Sequence, residues 1–217
     1  MFRFRAIAGA LVLAAAVEVP PYSWYDAASG EFRGIDIDIA RSAAARLGRA
    51  LEIHPMPFRE IFPALKDGKA DFAAGAITIT EGRAKDVDFS KPYAVDGAAF
   101  LYRAGETLPT MISAERLRVG VVDSMTHDFY LTRHGIDPRR YKTYADAVAA
   151  LEAGAIDAVF FESGNIARTV AAGGGRLART PFETREFYGI PVRKGDKALL
   201  GAVDAAIDAL PKKEGAK

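Results

Sequence analysis

Apolar positions along this chain switch repeatedly between helical and strand spacing. From Ile35 to Leu47 they fall at Ile35, Ile39, Ala43 and Leu47, with Asp36, Asp38 and Arg41 elsewhere, and Gly48 closes the run. This predicts a helix whose early carboxylates suit the positive end of its dipole. Leu51 to Pro55 alternates as a strand, and Pro57 to Leu65 sets Phe58, Phe62 and Leu65 on one face of a short helix. Further strands are predicted at Ala70–Ala76, Ala98–Arg103, Leu117–Val122, Ile156–Phe161 and Phe187–Arg193. Further helices are predicted from Thr126 to His134, over Tyr144–Leu151, over Ile166–Ala172 and over Ala198–Leu210. Val17 to Val19 stops at Pro20-Pro21, and Tyr22, Trp24 and Tyr25 are expected on a loop. Strands alternating with helices of these lengths predict an α/β fold with largely parallel sheets.

Gly68 to Tyr93 is the most informative stretch. It opens as an apolar strand, becomes a polar turn at Thr78-Ile79-Thr80-Glu81, starts a charged helical segment at Gly82 to Asp86 and returns to extended chain at Val87 to Ser90. Arg83 offers a planar fork that matches a carboxylate, and Thr78, Thr80 and helix-start amides add donors. The plainer alternative is a helix capped by Thr80 with a solvated arginine.

An internal echo organises the chain. Ala64-Leu65-Lys66-Asp67-Gly68-Lys69-Ala70-Asp71 is repeated in kind by Ala150-Leu151-Glu152-Ala153-Gly154-Ala155-Ile156-Asp157. Each copy is a helix end, a glycine C-cap, an aspartate and then a buried strand, which suggests two lobes built alike. Ala98–Arg103 and Phe187–Arg193 are expected to be the crossings between them. The expected division is a signal-like segment or first strand at 1–16, a discontinuous first lobe of 17–98 plus 188–217, and a second lobe of 99–187. Ligands in open α/β sheets sit beyond the carboxyl ends of strands. Those ends are Gly75-Ala76 through Thr78 in one lobe and Phe161-Glu162-Ser163 in the other. A cleft with Arg83 on one wall and Glu162 on the other would suit a zwitterion, trapped by hinge closure.

Composition removes several alternatives. The chain has 217 residues and a formal net charge of +1, so no global field points to nucleic acid or an anionic membrane. It has no cysteine, which excludes disulfides, thiolate metal sites and cysteine nucleophiles. His54, His127 and His134 lack metal spacing, and Gly173-Gly174-Gly175 has no Lys-Ser/Thr pair to make it a phosphate loop. No metal and no cofactor are expected. Met1 to Arg5 is a short basic start and Ala6 to Val17 an apolar run ending in Ala14-Ala15-Ala16, the pattern of a secretory signal. The alternative is that Leu11 to Val19 is the first buried strand, of which cleavage after Ala16 would leave only Val17-Glu18-Val19.

The stretches PPYSWYDAASGEFRGIDIDIARSAAARLG, PMPFREIFPALKDGKADFAAGAITITEGRAKDVDFSKPY, RVGVVDSMT, AALEAGAIDAVFFES and FYGIPVRKGD resemble the periplasmic solute-binding proteins for polar amino acids (extracellular solute-binding family 3), which serve ABC importers. They run in the family's order from Val17 to about Leu210. The resemblance implies a two-lobed type II periplasmic-binding-protein fold with a two-strand hinge, an extracytoplasmic location, and a monomer that meets a small ligand and the importer's membrane subunits. It also implies residue roles. Arg83 pairs with the ligand carboxylate, Thr78 supports it, and Thr126 donates from the second lobe. Glu162 stands where an aspartate usually receives the ammonium group, Phe58 where an aromatic stacks on the ligand, and Gly75 where a backbone carbonyl meets the ammonium. Ala76 replaces a serine found in some members, and Tyr22 and Trp24 lie on a cleft-lining loop. Departures are the longer Glu162, Ala76, Val19 in place of an aromatic, and shortened ends.

A binding protein is the function so implied. An enzyme related to cyclohexadienyl dehydratases would need a general acid, and the position three residues after Glu162 is Asn165. A receptor's sensory module would need a membrane span or output domain. The expectation is a binding protein and not an enzyme.

Overall fold

The computed structural model describes residues 9–211; the basic start Met1–Arg5 lies outside the described residues. The described residues form two compact units, one of those up to Ala94 together with those from Phe187, and one of Val95–Glu186. In chain order the first holds β1 (Leu11–Ala15), β2 (Glu18–Val19), β3 (Ser23–Asp26), β4 (Glu31–Arg33), α1 (Ile35–Arg46), β5 (Leu51–Pro55), α2 (Phe58–Lys66), β6 (Phe72–Ala74), a 3-10 turn at Arg83–Lys85 and β7 (Val87–Phe89). The chain then crosses in β8 (Ala94–Asp96). The second unit continues with β9 (Ala98–Arg103), α3 (Met111–Ala114), β10 (Val119–Val122), α4 (Thr126–Arg133), β11 (Arg139–Tyr141), α5 (Tyr144–Glu152), β12 (Ala158–Glu162), α6 (Ser163–Ala172) and β13 (Leu177–Arg179). The return is made in β14 (Glu186–Tyr188), after which β15 (Pro191–Arg193) and α7 (Lys197–Asp208) complete the first unit.

Each unit is a five-stranded mixed sheet, and the two sheets have one topology. Their orders are β5-β1-β6-β15-β7 and β11-β10-β12-β9-β13. In both, the second strand in the order lies between two parallel neighbours, and the third is followed by two antiparallel pairings. Alternate residues of one strand feed opposite faces of its sheet, as the period of two requires. Leu11, Leu13 and Ala15 pack with α1 and α7, while Ala14 and Ala16 pack with Ile61 and Leu65 of α2. In the second unit Ala99 and Leu101 join Val159, Phe161 and α5, whereas Ala98 and Phe100 join Val121, Phe160 and Leu131 of α4. Strands covered on both faces read as unbroken apolar runs, and this is why β1 and β9 look so.

The echo seen in the sequence is a repeated hydrogen-bonding device. At the end of α2 the Gly68 amide donates to the Leu65 carbonyl (3.2 Å) and the Lys69 amide to the Ala64 carbonyl (2.9 Å). At the end of α5 the Gly154 amide donates to Leu151 (3.0 Å) and the Ala155 amide to Ala150 (2.9 Å). Both are Schellman caps, which need a left-handed residue, and the two glycines have φ of 71° and 73°. The aspartates three residues on are equivalent too. Asp71 accepts the Val12 amide (2.9 Å) and Asp157 the Arg118 amide (2.8 Å), each tying the strand to the start of the one beside it.

Three expectations need correction. Of the apolar run read as a signal, Leu11–Ala15 form β1, with Leu11, Leu13, Ala14 and Ala15 wholly buried between β5 and β6, so the first-strand alternative describes these residues and cutting after Ala16 would remove an interior strand of the sheet. Trp24 and Tyr25 do not sit on a loop: they are in β3, Trp24 paired with Glu18 and Arg33 and Tyr25 with Phe32, because the chain resumes an antiparallel meander straight after the prolines. Ala98–Arg103 is no crossing. It lies inside the second sheet between β12 and β13, and the crossing is made by the less apolar β8 before it. Phe187–Arg193 likewise divides into the crossing β14 and the sheet strand β15.

Candidate functional site

In the first unit the candidate residues gather beyond the carboxyl end of β6. Gly75 and Ala76 turn the chain there with φ of 140° and 52°. A Cβ on Gly75 would come within 2.9 Å of the Ala16 Cβ, so the strand end can approach β1 only with glycine at that place. The turn is gripped from below by Asp36, a wholly buried carboxylate in the first turn of α1. One of its oxygens accepts the amides of Gly75 (2.8 Å) and Ala76 (3.0 Å), and the other accepts the Tyr93 hydroxyl. Burial pushes the Asp36 carboxyl upward, against the pull of those three donors. Burial also drives the Tyr93 hydroxyl well above its ordinary range, and the neighbouring Asp36 adds to this.

Past the turn, the segment around Thr78 runs antiparallel to 187–189: Thr78 bridges Tyr188, the Ile79 amide donates to Phe187 (2.8 Å), and the Gly189 amide donates to Ile77 (3.1 Å). Thr78 is thereby nearly buried. Arg83 stands in the short 3-10 turn that comes next. Its backbone amide donates to the Thr80 hydroxyl (3.2 Å), but the N-cap of the turn is Gly82, so Thr80 is not the helix cap expected of it. Its guanidinium donates to the Thr78 carbonyl (2.9 Å) and lies 5.1 Å from the Phe58 ring centroid and 5.2 Å from that of Phe62. Two aromatic faces at that range attract a cation and restrict its rotamers. Phe58 thus meets Arg83 as well as the core, where it packs beside Phe62. Tyr22 packs edge-on against Tyr188 (5.2 Å) and Tyr93 (6.3 Å), in a tyrosine cluster next to the Asp36 carboxylate.

In the second unit the candidates lie at two helix starts. Glu162 ends β12 and is the N-cap position of α6, without an intervening turn. It is 8% exposed and accepts the Asn165 side-chain amide (2.6 Å). Burial pushes its carboxyl up to about 8; the carboxylates of Glu186 and Asp96 push the same way, and Asn165 and Arg168 oppose them. Glu162 is therefore not a solvated strand-end carboxylate. Thr126 is the first residue of α4, and its hydroxyl donates to the Glu186 carboxylate (3.2 Å), which also accepts from Thr184 (3.3 Å) and lies 3.5 Å from the His127 ring. Asp96 accepts the Ser163 hydroxyl and the Gly97 amide (2.7 Å).

Sequence reasoning therefore did not find Asp36 as a brace, nor Glu186 and Asp96 as neighbours of Glu162. For Asp36 a signal existed. Ile39, Ala40 and Ala43 come three, four and seven residues later and are all buried, which puts Asp36 on the same inward face. For Glu186 and Asp96 none existed, since their grouping depends on strand crossings distant in sequence.

Residues 11–216 match the bacterial extracellular solute-binding proteins, family 3. The chain belongs to that family. Among its relatives, the probable histidine-binding protein of Neisseria gonorrhoeae is 30% identical over 204 residues, covering 90% of this chain and 76% of that protein. Among solved structures, the arginine-bound form of truncated ArgBP from T. maritima shares 32% identity with a TM-score of 0.84, covering 94% of this chain and 97% of that one. The ancestral amino acid-binding protein AncCDT-1, a precursor of cyclohexadienyl dehydratase, shares 28% identity with a TM-score of 0.80, over 93% and 89% of the two chains. The α/β architecture in two units with mixed sheets is the type II binding-protein fold of these family relatives.

Proposed function

We propose that this family member captures an amino acid or similar small zwitterion outside the cytoplasm and hands it to the membrane subunits of an ABC importer. The observation that carries the reading is the Arg83 guanidinium, held at a strand end by the Thr78 carbonyl and two aromatic rings. A guanidinium fixed in this way is suited to bidentate recognition of a carboxylate. The ligand carboxylate goes to Arg83 and Thr78, with Thr126 as a further donor, and the ammonium group to Glu162 and the Gly75 carbonyl. Phe58, Ala76, Tyr22 and Trp24 are assigned to the surroundings of the ligand. The histidine-binding relative and the arginine-bound ArgBP support an amino acid as the ligand class. The test is thermal melting of the protein with each standard amino acid, since a ligand that binds only the folded state raises the midpoint. The midpoint should rise with at least one of them, and Arg83→Ala should abolish that rise. A flat panel with intact, folded protein would overturn the reading.

One observation favours a second reading. A buried carboxyl titrating near 8 can hold a proton for general acid catalysis at neutral pH, and AncCDT-1 is a precursor of an enzyme. Turnover of prephenate or arogenate by the protein, lost in Glu162→Gln, would establish that reading in place of binding alone.

A further inference from the structure

The buried Asp36 carboxylate has no place among the ligand-contacting groups, yet it controls one of them. A trans peptide is planar, with its N–H and C=O pointing in opposite directions. Among the described residues the cis peptide is Pro20-Pro21, so the Gly75–Ala76 peptide is trans. Because the Ala76 amide points at Asp36 (3.0 Å), the Gly75 carbonyl in the same peptide must point away from it. The preceding peptide is held from both ends: the Gly75 amide donates to Asp36 (2.8 Å), and the Ala74 carbonyl accepts the Ala16 amide (3.0 Å). Ala76 meanwhile keeps a left-handed φ of 52°, a conformation unfavourable for a residue with a Cβ and so in need of outside support. Gly75 itself is buried at the end of β6.

We infer that Asp36 is a positioning residue: by taking the Ala76 amide it turns the Gly75 carbonyl outward as the acceptor for the ligand's ammonium group. The negative charge on the far side of the peptide also polarises that carbonyl and strengthens it as an acceptor. The Tyr93 hydroxyl holds the other Asp36 oxygen, so the carboxylate cannot swing to release the turn. The inference rests on the amino-acid-binding reading.

The experiment is calorimetric titration of the full chain with L-arginine and L-histidine, for Asp36→Asn, Asp36→Leu and Arg83→Ala, together with the carbonyl carbon resonance of Gly75. Asp36→Asn keeps an acceptor oxygen without the charge and should weaken binding about tenfold at full stoichiometry. Asp36→Leu keeps the bulk and loses the acceptor, and should weaken binding about a hundredfold. The Gly75 carbonyl resonance should move in Asp36→Asn, and should also move in the wild-type protein on saturation with ligand. A merely structural Asp36 would lower the fraction of protein that binds and leave the affinity of that fraction unchanged, which overturns the inference. A wild-type Gly75 resonance that stays put at saturation overturns it too, even if both variants fail to fold. Arg83→Ala separates the two levels. If it binds as well as wild type, the underlying reading fails; if it loses binding while Gly75 is unmoved, only the role of Asp36 fails.

Discussion

The first and second units carry the same device up to one point and then part. In each, a Schellman glycine ends a helix, an aspartate ties the next strand to its neighbour, and an apolar strand runs through the sheet. After β6 the chain breaks into a turn with two positive φ angles, and the next helical residues are only the 3-10 turn that bears Arg83. After β12 it passes directly into α6, and the last strand residue is the buried acid Glu162. One copy thus ends in a polar turn and a cation, the other in a desolvated acid. The shared part is scaffold, and the proposed chemistry lies wholly in the two dissimilar endings.

Arg83→Ala attacks the first ending and should have the largest effect, a loss of about a hundredfold or more in affinity for L-arginine or L-histidine. A loss smaller than about tenfold, or 1.4 kcal/mol, in calorimetry would remove Arg83 as the carboxylate anchor.

Glu162→Gln attacks the second ending and separates binding from stability. A carboxyl raised from its ordinary range to about 8 favours the folded state fully below the unfolded value. That stability is lost as pH rises toward the folded value. The wild type should therefore lose stability, on the order of a few kcal/mol, between pH 5 and 9, and Glu162→Gln should be flatter in urea titrations over the same range. Binding should move the other way. An ammonium group must displace the Glu162 proton, so wild-type affinity should climb between pH 6 and 8, and Glu162→Gln should bind weakly with little pH dependence. A wild-type affinity unaffected by pH would argue against Glu162 as the ammonium partner.

The shared scaffold should respond equally in both copies. Gly68→Ala and Gly154→Ala each force a Cβ into the left-handed region and should cost about 1 kcal/mol apiece in urea unfolding free energy. Free tolerance of one and not the other would mean the two caps are not equivalent. The smallest effect expected is at Asp88, outside the repeated device, where the Gly195 amide and then Lys197 and Lys194 hold the carboxyl down at about 2. A depressed acid stabilises the fold above its unfolded value and loses that contribution as pH falls from about 4 to about 2. Asp88→Asn should lower the stability at pH 7 by about 1 kcal/mol or less and flatten the loss below pH 4.

Much of the architecture is legible in the amino-acid pattern. The helix over Ile35–Leu47, the strand Ala98–Arg103 and the helix over Tyr144–Leu151 appear within a residue or two, because local periodicity governs each. The short strands β3 and β4 escaped, since an antiparallel meander of three or four residues carries too few positions for a period to show. The crossings were misplaced for a related reason. Apolar content marks strands buried on both faces, whereas the chain crosses in β8, whose residues are all at least partly exposed.

The sequence by itself determined the paired glycine caps, the aspartates after them, and the alternation of helix and strand. These depend on contacts within a few residues, where side-chain type and spacing are sufficient. Only the tertiary structure decided that Leu11–Ala15 is an interior strand of a sheet, because that requires β5 and β6 on either side. It likewise decided that Asp36 serves the Gly75–Ala76 turn 39 and 40 residues away, and that Glu162 is an acid near neutrality. Desolvation and the direction of a peptide group are properties of surroundings assembled from distant parts of the chain, and no local pattern encodes them.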